Sequence, residues 1–254
     1  MFSLAASHSI RLPKTICGAR SVISRRIIGS SRGLCGTILR WVIDHRRHHA
    51  HADQQGDVHS PYVDPWGMDH EGIRGFAYAH FGWMFDRTTT DSKVFGADLL
   101  ADPVVMFFTR THYFWLLISL GLPFSYGYVL GGWNAGVGSM LIGGCLRTTV
   151  LHNVVWAVNS VGHTHGTREF AQSNKSTNNL VLALLTLGDG WHNNHHRFPR
   201  SAHHGMRKGE VDVNGWIIDA LEKFGFAREV IRIPQARLDA ARKVNLIVDD
   251  CTSK

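Results

Sequence analysis

The sequence predicts an all-α membrane protein: a transmembrane helical hairpin with a cytosolic helical cap that carries histidine boxes. Three observations predict it. His45-Arg-Arg-His48-His49 recurs as His192-Asn-Asn-His195-His196, a charge-free run extends from Thr111 to Leu146, and apolar residues after the second box recur at helical spacing. On an α-helix, positions i, i+3 and i+4 share a face, so each box aims three imidazoles at one spot. Seventeen histidines form some clusters by accident. Two identical boxes nevertheless point to a metal site, because imidazole is the commonest metal-binding side chain.

Composition bounds the alternatives. The 254 residues fit one domain or two small ones, with 44% hydrophobic content and a formal charge of +7. The first 43 residues hold six Arg, one Lys, many Ser and no acid, a composition superficially like an organelle transit peptide. Residues 1–35 are therefore set apart as a basic, poorly ordered or atypical segment. No nucleic-acid motif accompanies the charge, which favours an anionic membrane surface and an anionic substrate over nucleic acid. Cys17, Cys35, Cys145 and Cys251 lie far apart with no CxxC pair, as scattered free thiols of a reducing compartment do.

Arg110 and Arg147 close the charge-free run. A helical crossing needs about 20 apolar residues, so the run supplies two slightly short spans, Tyr113–Leu130 and a second beginning near Trp133. Gly132, Gly136 and Gly144 let the neighbouring helices approach closely, and Tyr128 and Trp133 suit a membrane interface. The competing expectation is a buried hairpin in a soluble helical protein. An even number of crossings returns the chain to its starting side, and the flanking arginines assign that side to the cytoplasm. Residues Thr148 to Val158 extend the second helix out of the bilayer, giving a hairpin of about 111–158. It delivers Asn159 and His163, one helical turn apart. After the second box, Val213 to Val230 reads as an amphipathic helix with Val213, Trp216, Ile217, Ala220, Leu221 and Phe224 packed on the cap. Gly225 breaks the pattern, Ile233-Pro234 ends the ordered body, and a short basic helix from Gln235 to Lys243 leads into a mobile tail.

Several segments together carry a family resemblance. In order they are Trp41-Val-Ile-Asp-His45-Arg-Arg-His48-His49, Asp57-Val-His59-Ser-Pro61, Gly75-Phe-Ala-Tyr-Ala-His80-Phe-Gly-Trp83 and Leu146-Arg-Thr-Thr149. Trp156-Ala-Val-Asn159-Ser-Val-Gly-His163, Gly188-Asp-Gly-Trp-His192-Asn-Asn-His195-His196-Arg-Phe-Pro199 and Ser201-Ala-His-His-Gly205 follow. This order resembles the membrane-bound acyl-CoA desaturases of the Δ9 type and their bacterial relatives, over a domain of about 36–234 that leaves 235–254 as a tail.

The resemblance implies a di-iron centre that uses dioxygen and two electrons to remove two hydrogens from an unactivated acyl chain. It assigns His45, His48, His49, His163, His192, His195 and His196 as iron ligands, with Asn159 acting through a water. Trp41 and Trp156 match residues that line the acyl tunnel, although either also fits as an interfacial or core aromatic. Val155 stands beside the tunnel where relatives often carry a hydroxyl. His80 and His152 support the site. Arg46, Arg47 and Arg197 point away from the ligands, as solvated charge or toward substrate phosphates or an acidic electron donor. His51, His59, His165, His203 and His204 have no assigned role.

The implied partners are a fatty acyl-CoA or acyl-lipid, dioxygen, the lipid bilayer, and an electron donor such as cytochrome b5 or ferredoxin with its reductase. The metal site would face the cytoplasm, at the endoplasmic reticulum in a eukaryote or the inner membrane in a bacterium. The family also carries an HxxxxH box and two further spans upstream, whereas only His8 precedes His45 here. The expectation is an N-terminally truncated desaturase fold with impaired activity, because one or both irons would lack a ligand. Arg207-Lys208 also replaces a pair that is commonly Trp-Trp. A di-iron membrane hydroxylase and a non-catalytic, metal-binding or partner protein are the alternatives.

Overall fold

A computed structural model describes residues 36–252 apart from Arg87, with side chains to Lys243. The basic segment 1–35, with Cys17 and Cys35, lies outside the described residues. Helices run α1 Ile38–His51, α2 Gly72–His80, α3 Ser92–Phe95, α4 Ala97–Leu100, α5 Pro103–Arg110 and α6 His112–Ser139. They continue as α7 Arg147–Thr164, α8 Leu180–Leu185, α9 His192–Arg197, α10 Val213–Lys223 and α11 Gln235–Thr252. A 3-10 turn occupies Gly82–Phe85, a π segment Met140–Leu146 joins α6 to α7, and no strand occurs among the described residues.

The expected hairpin is present, and its turn is set by two glycines. Inside α6, Gly131 and Gly132 leave helical geometry, Gly132 at φ 70°, which an L side chain tolerates poorly. Beyond the turn the chain runs back along itself. A Cβ at Gly136 would lie 3.0 Å from Phe124, one at Gly143 3.2 Å from Pro123, and one at Gly144 2.9 Å from Leu120. At the base, Arg147 donates to the Ser119 hydroxyl. Every partner pair joins residues from opposite sides of the glycine turn, which defines two antiparallel arms held together by small residues.

The arm from His112 to Leu130 is about 28 Å long at 1.5 Å per residue, close to the roughly 30 Å hydrocarbon core of a bilayer. The helical run His112–Thr164 is long and apolar enough to cross a membrane, and only 6% of its most apolar stretch is buried. Leu117, Leu122, Val129, Leu130 and Ile142 all face outward. A hairpin packed inside a soluble protein would cover these residues, so the buried-hairpin expectation does not hold. An apolar surface this large associates the chain with a membrane.

The second arm continues into α7, as expected. Thr148, His152, Asn159 and His163 form a buried line down this helix toward the histidines of α1 and α9. The cap's aliphatic core is small: α1 lays Val42 and Ile43 against Leu99 of α4 and Val105 of α5.

Two C-terminal expectations need correction. The helix starting at Gln235 runs to Thr252 rather than ending at Lys243, and Leu238 and Ala241 bury against Phe170 and Phe198. Its sequence is rich in strong helix formers and has no Gly or Pro to stop it, and the two buried residues share one face. α10 ends at Lys223, and its apolar stripe packs only in part, with Val213 and Leu221 half-buried. Gly215 and Ile218 face inward, whereas Trp216, Ile217 and Phe224 are exposed. The Asp212 cap on the Gly215 N–H, at 2.9 Å, helps to fix that orientation, and a Cβ at Gly215 would crowd His203 Nδ1. Leu180, Val181 and Leu184 of α8 are exposed as well. The two helices are tied by Asn214, whose N–H donates to Leu187 O at 2.9 Å and whose Nδ2 donates to Thr186 O at 3.1 Å.

Candidate metal centre

Seven imidazoles from three helices converge in two groups. His48, His163, His192 and His196 form a fully buried set, and His45, His49 and His195 form a half-buried one. These are the seven histidines singled out from the sequence. In the buried set, Nε2 atoms lie 3.2 Å apart for His48 and His196, 3.0 Å for His163 and His192, and 3.0 Å for His192 and His196. In the half-buried set, His49 Nε2 lies 3.0 Å from His45 Nε2 and 2.8 Å from His195 Nε2, and His45 and His195 are 3.4 Å apart.

Mutual hydrogen bonding accounts poorly for this arrangement. His49 Nε2 faces two other Nε2 atoms, and one proton cannot serve both. Nitrogens bound at about 2.1 Å to one metal lie roughly 3.0–3.4 Å apart for octahedral to tetrahedral angles, a range that holds five of these six spacings, with His49–His195 slightly shorter at 2.8 Å. Two cations, one in each group, fit the donor set.

The protonation states agree. Burial, followed by the charges of neighbouring histidines, pushes His48, His49, His192, His195 and His196 well below the ordinary imidazole value. Neutral rings offer the lone pair that a metal needs.

Two carboxylates orient the buried set, and both escaped the sequence analysis as orienting groups. Asp57 accepts from His48 Nδ1 at 2.8 and 2.9 Å, and Asp53 accepts from His163 Nδ1 at 2.8 Å. A proton held on Nδ1 leaves Nε2 as the ligand atom, the usual device around protein-bound metals. Burial tends to raise Asp53, but the His163 charge and hydrogen bonds from His163, the Lys175 N–H and Ser60 bring it below the usual carboxylate range. Burial dominates at Asp57 and pushes it up to about 7. Asp53 adopts φ 59° just after α1, a conformation that Asp reaches more readily than most residues.

The Asn-Asn pair within the second box is also structural. A six-residue helix is marginal alone, and α9 is held by its buried amides. Asn193 Oδ1 accepts from the N–H groups of Glu169 and Phe170, while its Nδ2 donates to the carbonyls of Phe170 and Ser176. Asn194 donates to His204 O and Glu210, and accepts from Asn178. On the facing helix, a Cβ at Gly162 would lie 3.1 Å from the His192 ring.

Other predicted site residues occupy defined places. Asn159 is buried on α7 one turn before His163, and its Nδ2 has no partner among the described residues; it belongs to neither imidazole group. Trp41 stacks on His45 at 6.5 Å between ring centres and also packs against the aliphatic core. Trp156 stacks on His152 at 5.5 Å, and Val155 is half-buried beside it. Trp41, Val155 and Trp156 are absent from the lining of the ≈850 Å³ groove, which passes along Asp53, Tyr62, His70 and Lys175. His80 hydrogen-bonds Ser160 at 2.9 Å and Asn153 at 3.3 Å.

Among the unassigned histidines, His59 is buried 4.2 Å from the His48 ring, and burial drives it down to about 3. The His204 ring lies 4.4 Å from His195, and His203 pairs with Asp219 at 2.9 Å. The arginines within the first box are not free charge. Arg46 forks onto Asp98 at 2.6 and 3.0 Å, and Arg47 donates to Gly56 O at 2.8 Å.

A family model described as fatty acid desaturase matches residues 19–213. The chain belongs to the fatty acid desaturase family. It is 33% identical over 214 residues to a hex-5-enoyl-[acyl-carrier protein] acetylenase of Moorena producens, covering 84% of this chain and 66% of that protein. An sn-1 stearoyl-lipid 9-desaturase of Anabaena variabilis is 34% identical over 205 residues, covering 78% and 68% respectively. An icosanoyl-CoA 5-desaturase of Limnanthes douglasii is 34% identical over 205 residues, covering 79% and 52%. The chain thus spans between about half and two thirds of these three desaturase-family relatives.

Proposed function

We propose that this protein is a fatty acyl desaturase whose seven histidines hold two irons. The observation that carries the proposal is the division of those imidazoles into groups of four and three, in a member of a family named for this activity. A bound iron pair would supply dioxygen activation and the redox capacity to take two hydrogens from an unactivated chain, with two electrons from a carrier.

The chain's own residues hold, orient and shield. Asp53 and Asp57 keep the Nδ1 protons of His163 and His48 and so fix their Nε2 atoms. The buried group is closed by four rings, whereas the half-buried group of His45, His49 and His195 leaves room for a further ligand. We place the acyl chain on that more open side, with Trp41, Val155 and Trp156 as its walls and Asn159 holding a water for one metal. Trp41 stacked on His45 supports this placement.

The domain of about 36–234 performs this work, and Leu238 and Ala241 of the following segment brace it against Phe170 and Phe198. The hairpin anchors the site at the cytoplasmic face of a membrane, where cytochrome b5 or ferredoxin would deliver electrons. The relatives' names cite an acyl-carrier protein, a lipid and a CoA ester, so the proposal extends to the acyl chain and leaves its carrier open.

The test is expression of the full chain in a host lacking its own acyl desaturase, followed by analysis of extracted fatty acids. New double bonds that disappear in His192→Ala support the proposal. An alcohol product, or no product from protein carrying two irons per chain, overturns it.

A further inference from the structure

We infer that a cleft between α9 and α11, lined by none of the seven clustered histidines, binds a phosphate group. The cleft has a volume of ≈240 Å³ and is lined by Arg197, Phe198, Arg237, Ala240 and Ala241, with no acidic residue. Both guanidiniums stand 5.5 Å from the centre of the Phe198 ring, a ring fixed by burial against Phe170.

Their shared placement in one cleft sets these two arginines apart. Three arginines of the same region are neutralised: Arg207 and Arg242 meet at Glu169, and Arg232 bridges Asp219 and Glu222. Arg197 and Arg237 have no ion pair among the described residues, yet line one cleft. Two positive forks facing a common space, with a floor of alanine methyls, form a receptor for an anion that accepts several hydrogen bonds at once. Phosphate suits this better than carboxylate, because its additional oxygens can engage both forks. The volume is several times the roughly 30 Å³ share of a water molecule, so a phosphate ester fits together with part of its substituent. The aromatic ring beneath favours cations over anions, and so holds the guanidiniums in place without competing for the ligand.

The phosphate could arrive on a soluble molecule or on a lipid headgroup. The test is binding of the full chain, purified in detergent, to inorganic phosphate and to 3′-phospho-ADP by calorimetry. In parallel, co-flotation compares vesicles of phosphatidic acid in phosphatidylcholine with phosphatidylcholine alone. Arg237→Gln changes a residue that belongs to neither histidine group, and Arg197→Gln is accompanied by a metal assay because it adjoins His196.

Loss of one charge-assisted fork predicts at least tenfold weaker binding in each variant, or about 1.4 kcal/mol. Saturable binding of a soluble phosphate that weakens in both variants supports a soluble ligand. Binding confined to phosphatidic acid vesicles, and weakened in both variants, supports a headgroup. Absence of binding in both formats, or binding that Arg237→Gln leaves unchanged, overturns the inference.

Discussion

Replacing Asp53 by alanine tests whether an outer carboxylate holds a metal ligand in position. Asp53 accepts from His163 Nδ1 at 2.8 Å, Lys175 N at 2.7 Å and Ser60 Oγ at 2.9 Å. Lys175 is exposed, so water can replace its lost partner. His163 is only 1% exposed, so its Nδ1–H would be orphaned at a cost of about 1–3 kcal/mol. Loss of an outer partner of a metal-bound histidine typically weakens metal affinity about 10–100-fold, or roughly 1.4–2.8 kcal/mol, and the two estimates agree. Asp53→Asn is the informative companion. Asparagine tolerates the φ of 59°, its amide oxygen can face His163, and Ser60 can reverse to accept from Nδ2. Its expected loss is below tenfold. Chelator competition with metal readout measures both variants, and thermal unfolding checks that each is folded. A folded Asp53→Ala that keeps its metal as tightly as the parent refutes the orienting role.

Three further outcomes follow from the geometry. His192→Ala should release the metal of the four-imidazole group and His45→Ala that of the three-imidazole group, each removing about one ion per chain by elemental analysis; equal loss of both ions from either variant would point to a single shared site. The metal-free chain should lose stability as pH falls below 6.5, because the unfolded chain protonates His48, His49, His192, His195 and His196 while the folded chain does not. His59, lowered from 6.5 to about 3, adds the same sign, and Asp57, raised from 3.8 to about 7, opposes it and nearly offsets it; a melting temperature that rises between pH 6.5 and 5 would contradict this balance. Finally, Gly127→Leu should loosen the hairpin by about 1–3 kcal/mol, since a Cβ there would strike Ser139 and the Ala135 carbonyl, and unchanged resistance to unfolding in detergent would argue against the close packing of the two arms.

Six of the seven histidines were legible because their spacing is local, whereas His163, one turn after Asn159, was assigned through the family resemblance. Each box writes i, i+3, i+4 into a single helix, and the neutral run closed by Arg110 and Arg147 announces a hairpin by its length. The close contacts at Gly136 and Gly144 match the expectation, whereas Gly132 meets no neighbouring helix and instead forms the turn with Gly131. Asp53 was not legible, because it meets His163 across 110 positions of sequence and its role depends on a left-handed residue after α1. Asn193 and Asn194 looked like filler between ligands, whereas their partners come from loops that periodicity does not describe. On α10, helical spacing identified an apolar stripe correctly as a stripe. Gly215 and Ile218 take the inward side, and most of the stripe, Trp216, Ile217, Ala220 and Phe224, faces outward.

The most direct measurement is the metal content of the full chain, purified after growth with iron, combined with spectroscopy that detects nitrogen bound to the metal. The expected result is two irons per chain, each in an imidazole environment, falling to about one in His45→Ala. Less than one iron per folded chain after loading, or iron that persists unchanged when His45, His49 and His195 are replaced together, would contradict the account.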